Sequence, residues 1–145
     1  MNLTLELIAT LSASLFCGAS IYINLVEHPA RVSCGTNLAV TEFAPSYKRA
    51  TVMQVSLAAI AFISSLAAWL MHSGTYWLIG GISIVLVIPF TIIFLLPTNN
   101  ILLSSSLNKD SDYARSLLDR WGKLHAVRSV LSLVSVVFFL LALSN

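Results

Sequence analysis

An all-α fold, an integral membrane four-helix bundle, is what this sequence predicts, and three observations predict it. Of the 145 residues, 57% are hydrophobic and only 10% are charged, against about a quarter charged in soluble domains. The mean hydropathy is +0.87, so the chain cannot cover a water-facing surface. Four apolar runs, at about 3–26, 51–71, 76–96 and 126–143, each approach the ~20 residues a helix needs to cross ~30 Å of hydrocarbon. None of them alternates in polarity as the strands of a membrane barrel do. The length leaves room for one domain, 1–145.

The first run lacks the cationic leader of a signal peptide and is too long for one, so it reads as a retained span. Cys17 within it and Cys34 beyond it read as small apolar fillers. The segment at 32–45 is small and polar and reads as a loop, with Pro45 and Ser46 as the entry to the second span and Ser46 as its cap. A short turn at 71–75, with His72, Ser73 and Gly74, makes spans two and three an antiparallel hairpin. Pro89 and Pro97 are expected to bend or end the third span. Asp110, Ser111 and Asp112 form a helix start, because acids there complement the helix dipole. Leu117, Trp121, Leu124 and Arg128 then fall on one stripe of a helix that continues into the fourth span.

Charge sets the expected orientation. Arg31, Lys48 and Arg49 lie between spans one and two. Lys109, Arg115, Arg120, Lys123 and Arg128 lie between spans three and four or just inside the fourth. The termini and the 71–75 turn carry no Lys or Arg. The positive-inside rule therefore puts the loops at 27–50 and 98–125 in the cytoplasm of a bacterial inner membrane or its equivalent, with both termini on the other side. The net charge of +2 forms no nucleic-acid patch. The partners expected are membrane lipid and an apolar small molecule, and a homo-oligomer is compatible with the pattern.

Polar chemistry gathers at that basic end. On a regular helix Asn24, Glu27, His28 and Arg31 share one face, if helix persists through Pro29. Pro29 frees the Leu25 carbonyl and is expected to kink the segment. Trp121, His125 and Arg128 share a face of the fourth span, and Tyr47 and Gln54 share a face of the second. Thr91 and the run 97–100, with Asn99, add hydroxyl and amide groups from the third. Spans one and three end where spans two and four begin, so the four clusters lie at one depth. Polar groups at membrane depth face the bundle interior, which predicts a pocket. Each also has a plainer role. Arg31, Lys48, Arg49 and Lys123 serve as interfacial anchors, Trp69, Trp77 and Trp121 as belt aromatics, Asn24 and Gln54 as interhelical glue, and Glu27 with Arg31 as a helix ion pair. An anchor needs neither the carboxylate nor the imidazole of Glu27 and His28. Two imidazoles and a carboxylate suit non-haem iron or zinc. But Glu27 and His28 are adjacent and point apart, and no HxxxH or ExxH pair occurs, so no metal and no other cofactor is expected.

The runs GASIYINLVEHPAR at 18–31, YKRATVMQ at 47–54, PFT at 89–91, LPTNN at 96–100 and WGKLHAVRS at 121–129 resemble the anthrone oxygenase-like family, in order and spacing, over most of the chain. The resemblance implies a small four-helix membrane domain. It also implies an oxygenase that turns polyketide anthrones into anthraquinones without metal or flavin. Such chemistry needs a base, donors for a developing oxyanion and an apolar slot that excludes water. The residue types present suggest His28 or His125 as the base, with Glu27 beside it. Asn24, Gln54 or Arg128 would hold the oxyanion, Trp121 would stack on a flat ring, and Tyr47, Thr91 and Asn99 would line the site. The competing expectations are a non-catalytic membrane module that binds a lipid or small molecule or serves as a partner subunit, and a transporter, which the lack of inverted repeats disfavours.

Overall fold

The computed structural model describes residues 3–71 and 74–144. Four helices are long and apolar enough to cross a membrane: α1 Leu3–Ser33, α2 Thr36–Leu70, α3 Thr75–Leu102 and α4 Asp112–Ser144. They form an antiparallel square in which α1 packs on α2 and α4, and α3 packs on α2 and α4. His72 and Ser73 of the expected turn lie outside the described residues.

The polarity of the bundle is inverted relative to a soluble one. Leu25, Val52, Ile63, Leu15 and Ile93 are each more than 60% exposed, while Ser20, Ser65, Ser132 and Ser135 are wholly buried. Lipid tails solvate the large apolar side chains as well as a core does. Helix association in lipid instead depends on close backbone approach between small residues. Ala9, Ala13, Ala61 and Ala68 supply that approach in the half of the bundle nearer the chain ends, around Phe16, Trp77 and Phe139. A second core lies at the basic end, built from Ala39, Val40 and Phe43 of α2, Leu95 and Leu102 of α3, and Leu117, Leu118 and Trp121 of α4.

That second core corrects one expectation. The segment at 32–45 is not a loop: only Cys34 and Gly35 interrupt the helix, and α2 begins at Thr36. Ala39, Val40 and Phe43 form an apolar stripe that is buried against α4, and that burial outweighs the segment's polar composition. Pro45 sits inside the helix. It costs the Thr41 carbonyl its usual donor, but both residues lie on an exposed face. Ser46 is therefore no cap. Gly35 has φ 101° and ψ 151°, a region open essentially to glycine alone, and this lets the chain reverse in so few residues. At the fourth helix the expected start is found: Ser111 Oγ accepts the Ala114 backbone N–H at 3.1 Å.

Two prolines shape the site. Neither Pro29 nor Pro97 ends its helix. Each is preceded by one widened, π-helical turn, Ile23–Glu27 in α1 and Thr91–Leu95 in α3. The residue just before each proline makes the wide bond, His28 N–H to the Ile23 carbonyl and Leu96 N–H to the Thr91 carbonyl. Widening makes room for a ring that would otherwise crowd the preceding turn. Such turns frequently mark functional positions.

Candidate active site

A cavity of about 210 Å³ lies between α2, α3 and α4. Its walls are mostly apolar, from Phe16, Ala58, Val87 and Ile88 among others, with Tyr47, Thr51, Gln54, Thr91 and Arg128 as the polar groups. A second space of about 30 Å³ adjoins it and shares Tyr47, Thr51, Gln54 and Arg128; its remaining walls include Arg31, Ser46, Trp121 and His125. The smaller space holds one or two molecules of water size, since a water needs roughly 10–15 Å³ on this measure.

Arg128 is the charged group of the larger cavity. Its guanidinium donates to Gln54 Oε1 at 2.6 Å and lies 5.6 Å from the ring centre of Phe16. Among the described residues no carboxylate stands within ion-pair distance of it, and its Nε has no partner. Gln54 is 2% exposed, and its Nε2 is also without a partner. A cation without a carboxylate partner inside a membrane bundle is expensive, and here the Gln54 oxygen and the Phe16 ring are its neighbours.

His125 is held in a defined tautomer. Its Nδ1 lies 2.7 Å from Asn24 Oδ1. Asn24 Nδ2 donates to the Gly122 carbonyl at 3.0 Å, which identifies the other amide atom as the oxygen, and Ser129 Oγ donates to that oxygen at 2.7 Å. An oxygen that only accepts requires His125 Nδ1 to carry the hydrogen, so Nε2 keeps the lone pair. Trp121 stacks on His125 with ring centres 4.7 Å apart and meets Phe43 edge to face at 5.4 Å.

The face read on α1 divides in two. Asn24 and His28 turn towards α4, where the His28 ring packs 5.0 Å from Trp121. Gly122 makes that approach feasible, since a Cβ there would stand 2.8 Å from His28 Nε2. Glu27 and Arg31 turn towards α2. They pair with each other, Ser46 Oγ donates to Glu27 at 2.9 Å, and Arg31 Nε lies 2.9 Å from Glu42 Oε2. Thus Tyr47, Gln54, Thr91 and Arg128 line the larger cavity, and Trp121 and His125 the smaller. His28 and Asn24 line a separate open depression with Asp119 and Lys123, so the two histidines both pack on Trp121 but do not line one shared space. Asn99 is buried, its amide has no partner, and it lines neither cavity. Among the described residues no three His, Cys, Asp or Glu side chains gather as a metal-ligand set.

Sequence reasoning missed Thr51, Ser129 and Phe16. Thr51 stands four residues after Tyr47 and Ser129 four after His125, so helical spacing from the residues already chosen would have found both. Phe16 has no polar signal.

A family model described as anthrone oxygenase matches residues 43–138. The chain belongs to the anthrone oxygenase family. The matched segment contains Tyr47, Gln54, Thr91, Asn99, Trp121, His125 and Arg128, and leaves Asn24, Glu27 and His28 outside it. No curated protein and no solved structure matches the chain.

Proposed function

We propose that this member of the anthrone oxygenase family is a multi-pass membrane oxygenase that oxidises an anthrone-like phenolic ring compound with O2, using only its own side chains. The observation that carries the reading is Arg128, a guanidinium in the wall of an apolar cavity with no carboxylate partner among the described residues. The cavity is smaller than the ~300–1,000 Å³ of drug-sized sites, which suits a flat compound of two or three rings.

The chemistry needs one proton moved and one oxyanion held. His125 Nε2 takes a proton from the ring CH2 group, as a neutral imidazole does near physiological pH. The electron pair left behind delocalises onto the ring carbonyl oxygen. Arg128 and the free Gln54 amide stabilise that phenolate. The electron-rich ring then transfers electrons to O2, and a carbon–oxygen bond forms. The peroxide anion takes back the proton held on His125, and the resulting hydroperoxide loses water and leaves a quinone carbonyl. One CH2 and one O2 thus become one C=O and one H2O. The small space beside His125 matches the size of dioxygen. Asn24 and Ser129 act through His125 by fixing its tautomer. The basic end of the bundle is proposed to face the cytoplasm, on the charge distribution alone.

Purified protein in detergent, given a hydroxylated anthrone, is expected to form the anthraquinone well above the protein-free autoxidation rate and to incorporate one atom from 18O2. Rates equal to the protein-free control over a panel of hydroxyanthrones would overturn the oxygenase reading. Saturable binding without turnover would instead support a non-catalytic binder. The mutual pairing of Glu27, Arg31, Ser46 and Glu42 is the feature that favours that second reading.

A further inference from the structure

The cavity is closed towards both ends of the bundle and open at its side. Towards the basic end, Phe43 stacks on Tyr47 at 5.6 Å and abuts Trp121, and the layer continues through the buried Leu95, Leu117 and Leu118. Beyond it the Glu27–Arg31–Glu42 ion pairs tie α1 to α2. Towards the other end, Phe16, Ala58, Ile84 and Val87 are all at most 2% exposed. The lateral wall differs. Val55 of α2 is 49% exposed and Ile92 of α3 is 58% exposed, and both line the cavity.

The gap has a local cause. α3 packs closely on α2 over Thr75–Val85 but parts from it from Val87 to Leu95, while staying on α4 throughout. That parting stretch contains Pro89 and the widened turn Thr91–Leu95. A proline followed by a π-helical turn redirects a helix, and here it opens a slot between two spans at membrane depth.

We propose that this slot, between Thr51–Val55 of α2 and Ile88–Ile92 of α3, is a lateral portal through which a flat aromatic amphiphile enters from the bilayer, its anionic oxygen group leading, to dock on Arg128 and Gln54. The proposal rests on the cavity being the ligand site, as in the oxygenase reading, but not on any reaction. Charge complementarity names the occupant. The slot and walls are apolar, and the unpartnered groups at the inner end are donors: Arg128 Nε and Gln54 Nε2, the latter on a side chain 2% exposed. A neutral hydrocarbon would leave both unsatisfied, and a lipid with two acyl chains is too bulky for about 210 Å³. A fused-ring phenolate or carboxylate satisfies them and fills the rest with apolar contact. Such compounds partition into lipid, so a side entrance meets them where they concentrate.

The test uses the full chain in lipid nanodiscs and anthracene-9-carboxylate, which is fluorescent, flat and cannot be oxidised as an anthrone is. Saturable binding is expected. Arg128→Gln should weaken it about 10- to 100-fold, the effect of one charge-assisted hydrogen bond. Arg128→Lys should weaken it less, and neutral anthracene-9-methanol should be nearly indifferent to both. Val55→Trp and Ile92→Trp fill the slot from lipid-facing positions, so they should leave helicity unchanged and slow association about tenfold or more. Leu103→Trp, exposed at the end of α3, should leave the rate unchanged. Absence of saturable binding overturns the proposal. So does equal affinity in Arg128→Gln, or an association rate that the slot variants leave unchanged or slow no more than Leu103→Trp does. Arg128-dependent binding that the slot variants slow, in a protein that oxidises no anthrone, keeps the portal and discards the oxygenase.

Discussion

The two halves of the bundle are built for different purposes. In the half around Trp77 and Phe139 the helices meet through alanine and serine, and the aromatic pair stacks at 5.2 Å. Close approach there gives dispersion contacts that lipid cannot replace. In the half around Trp121 the helices are held apart by large rings and by polar side chains that bond across helices: Asn24 to His125 and Ser129, Arg128 to Gln54, Ser46 to Glu27. That spacing leaves the cavity, which the wide turn Thr91–Leu95 borders, while Ile23 of the other wide turn borders the smaller space. One half is closely packed, and the other leaves space that the proposed function assigns to a ligand. Substitutions in the first should therefore cost stability, and substitutions in the second should cost activity.

The sharpest test of that division is His125→Ala. Loss of a positioned general base should lower anthrone turnover about 10²- to 10⁴-fold with the helical circular dichroism unchanged. His28→Ala should lower turnover far less, because that ring lines neither cavity; equal losses in the two variants would break the assignment. Arg128→Gln should follow, at about 10²- to 10³-fold in kcat, as for one oxyanion donor. In the other half, Phe139→Ala removes a fully buried ring. It should cost about 3–5 kcal/mol of stability, measured by unfolding in mixed micelles, while each folded molecule keeps its turnover. Gly122→Ala probes packing inside the half around Trp121. A methyl group placed 2.8 Å from His28 Nε2 should cost about 1–3 kcal/mol as overpacking and disturb the Asn24–Gly122 bond. The smallest effect is expected from Ser111→Ala, which removes a helix cap worth about 1 kcal/mol and should leave turnover intact.

Composition and run length were enough to read four spanning helices, because hydrocarbon demands internally satisfied backbone and fixes the length needed. The stretch from Thr36 to Pro45 was misread for a physical reason. Its Ala39, Val40 and Phe43 make too short a stripe to signal a helix alone, and the partner surface comes from distant residues of α3 and α4. The family was legible in local runs such as YKRATVMQ and WGKLHAVRS. Helical spacing also located the residue types at one depth, so Gln54, Thr91, His125 and Arg128 could be singled out from the chain alone. Which of them share a space could not be. A one-residue widening at Ile23–Glu27 breaks the regular helical period, sends Glu27 and Arg31 to α2, and leaves Asn24 and His28 on α4. Sequence by itself therefore determined the membrane, the helices and the chemical groups near the basic end. The tertiary structure alone decided that His125 rather than His28 borders the small space adjoining the cavity and that Arg128 has no carboxylate partner among the described residues. It also decided that α2 and α3 part beside the cavity, because helix rotation and that parting are set by contacts between helices and not within them.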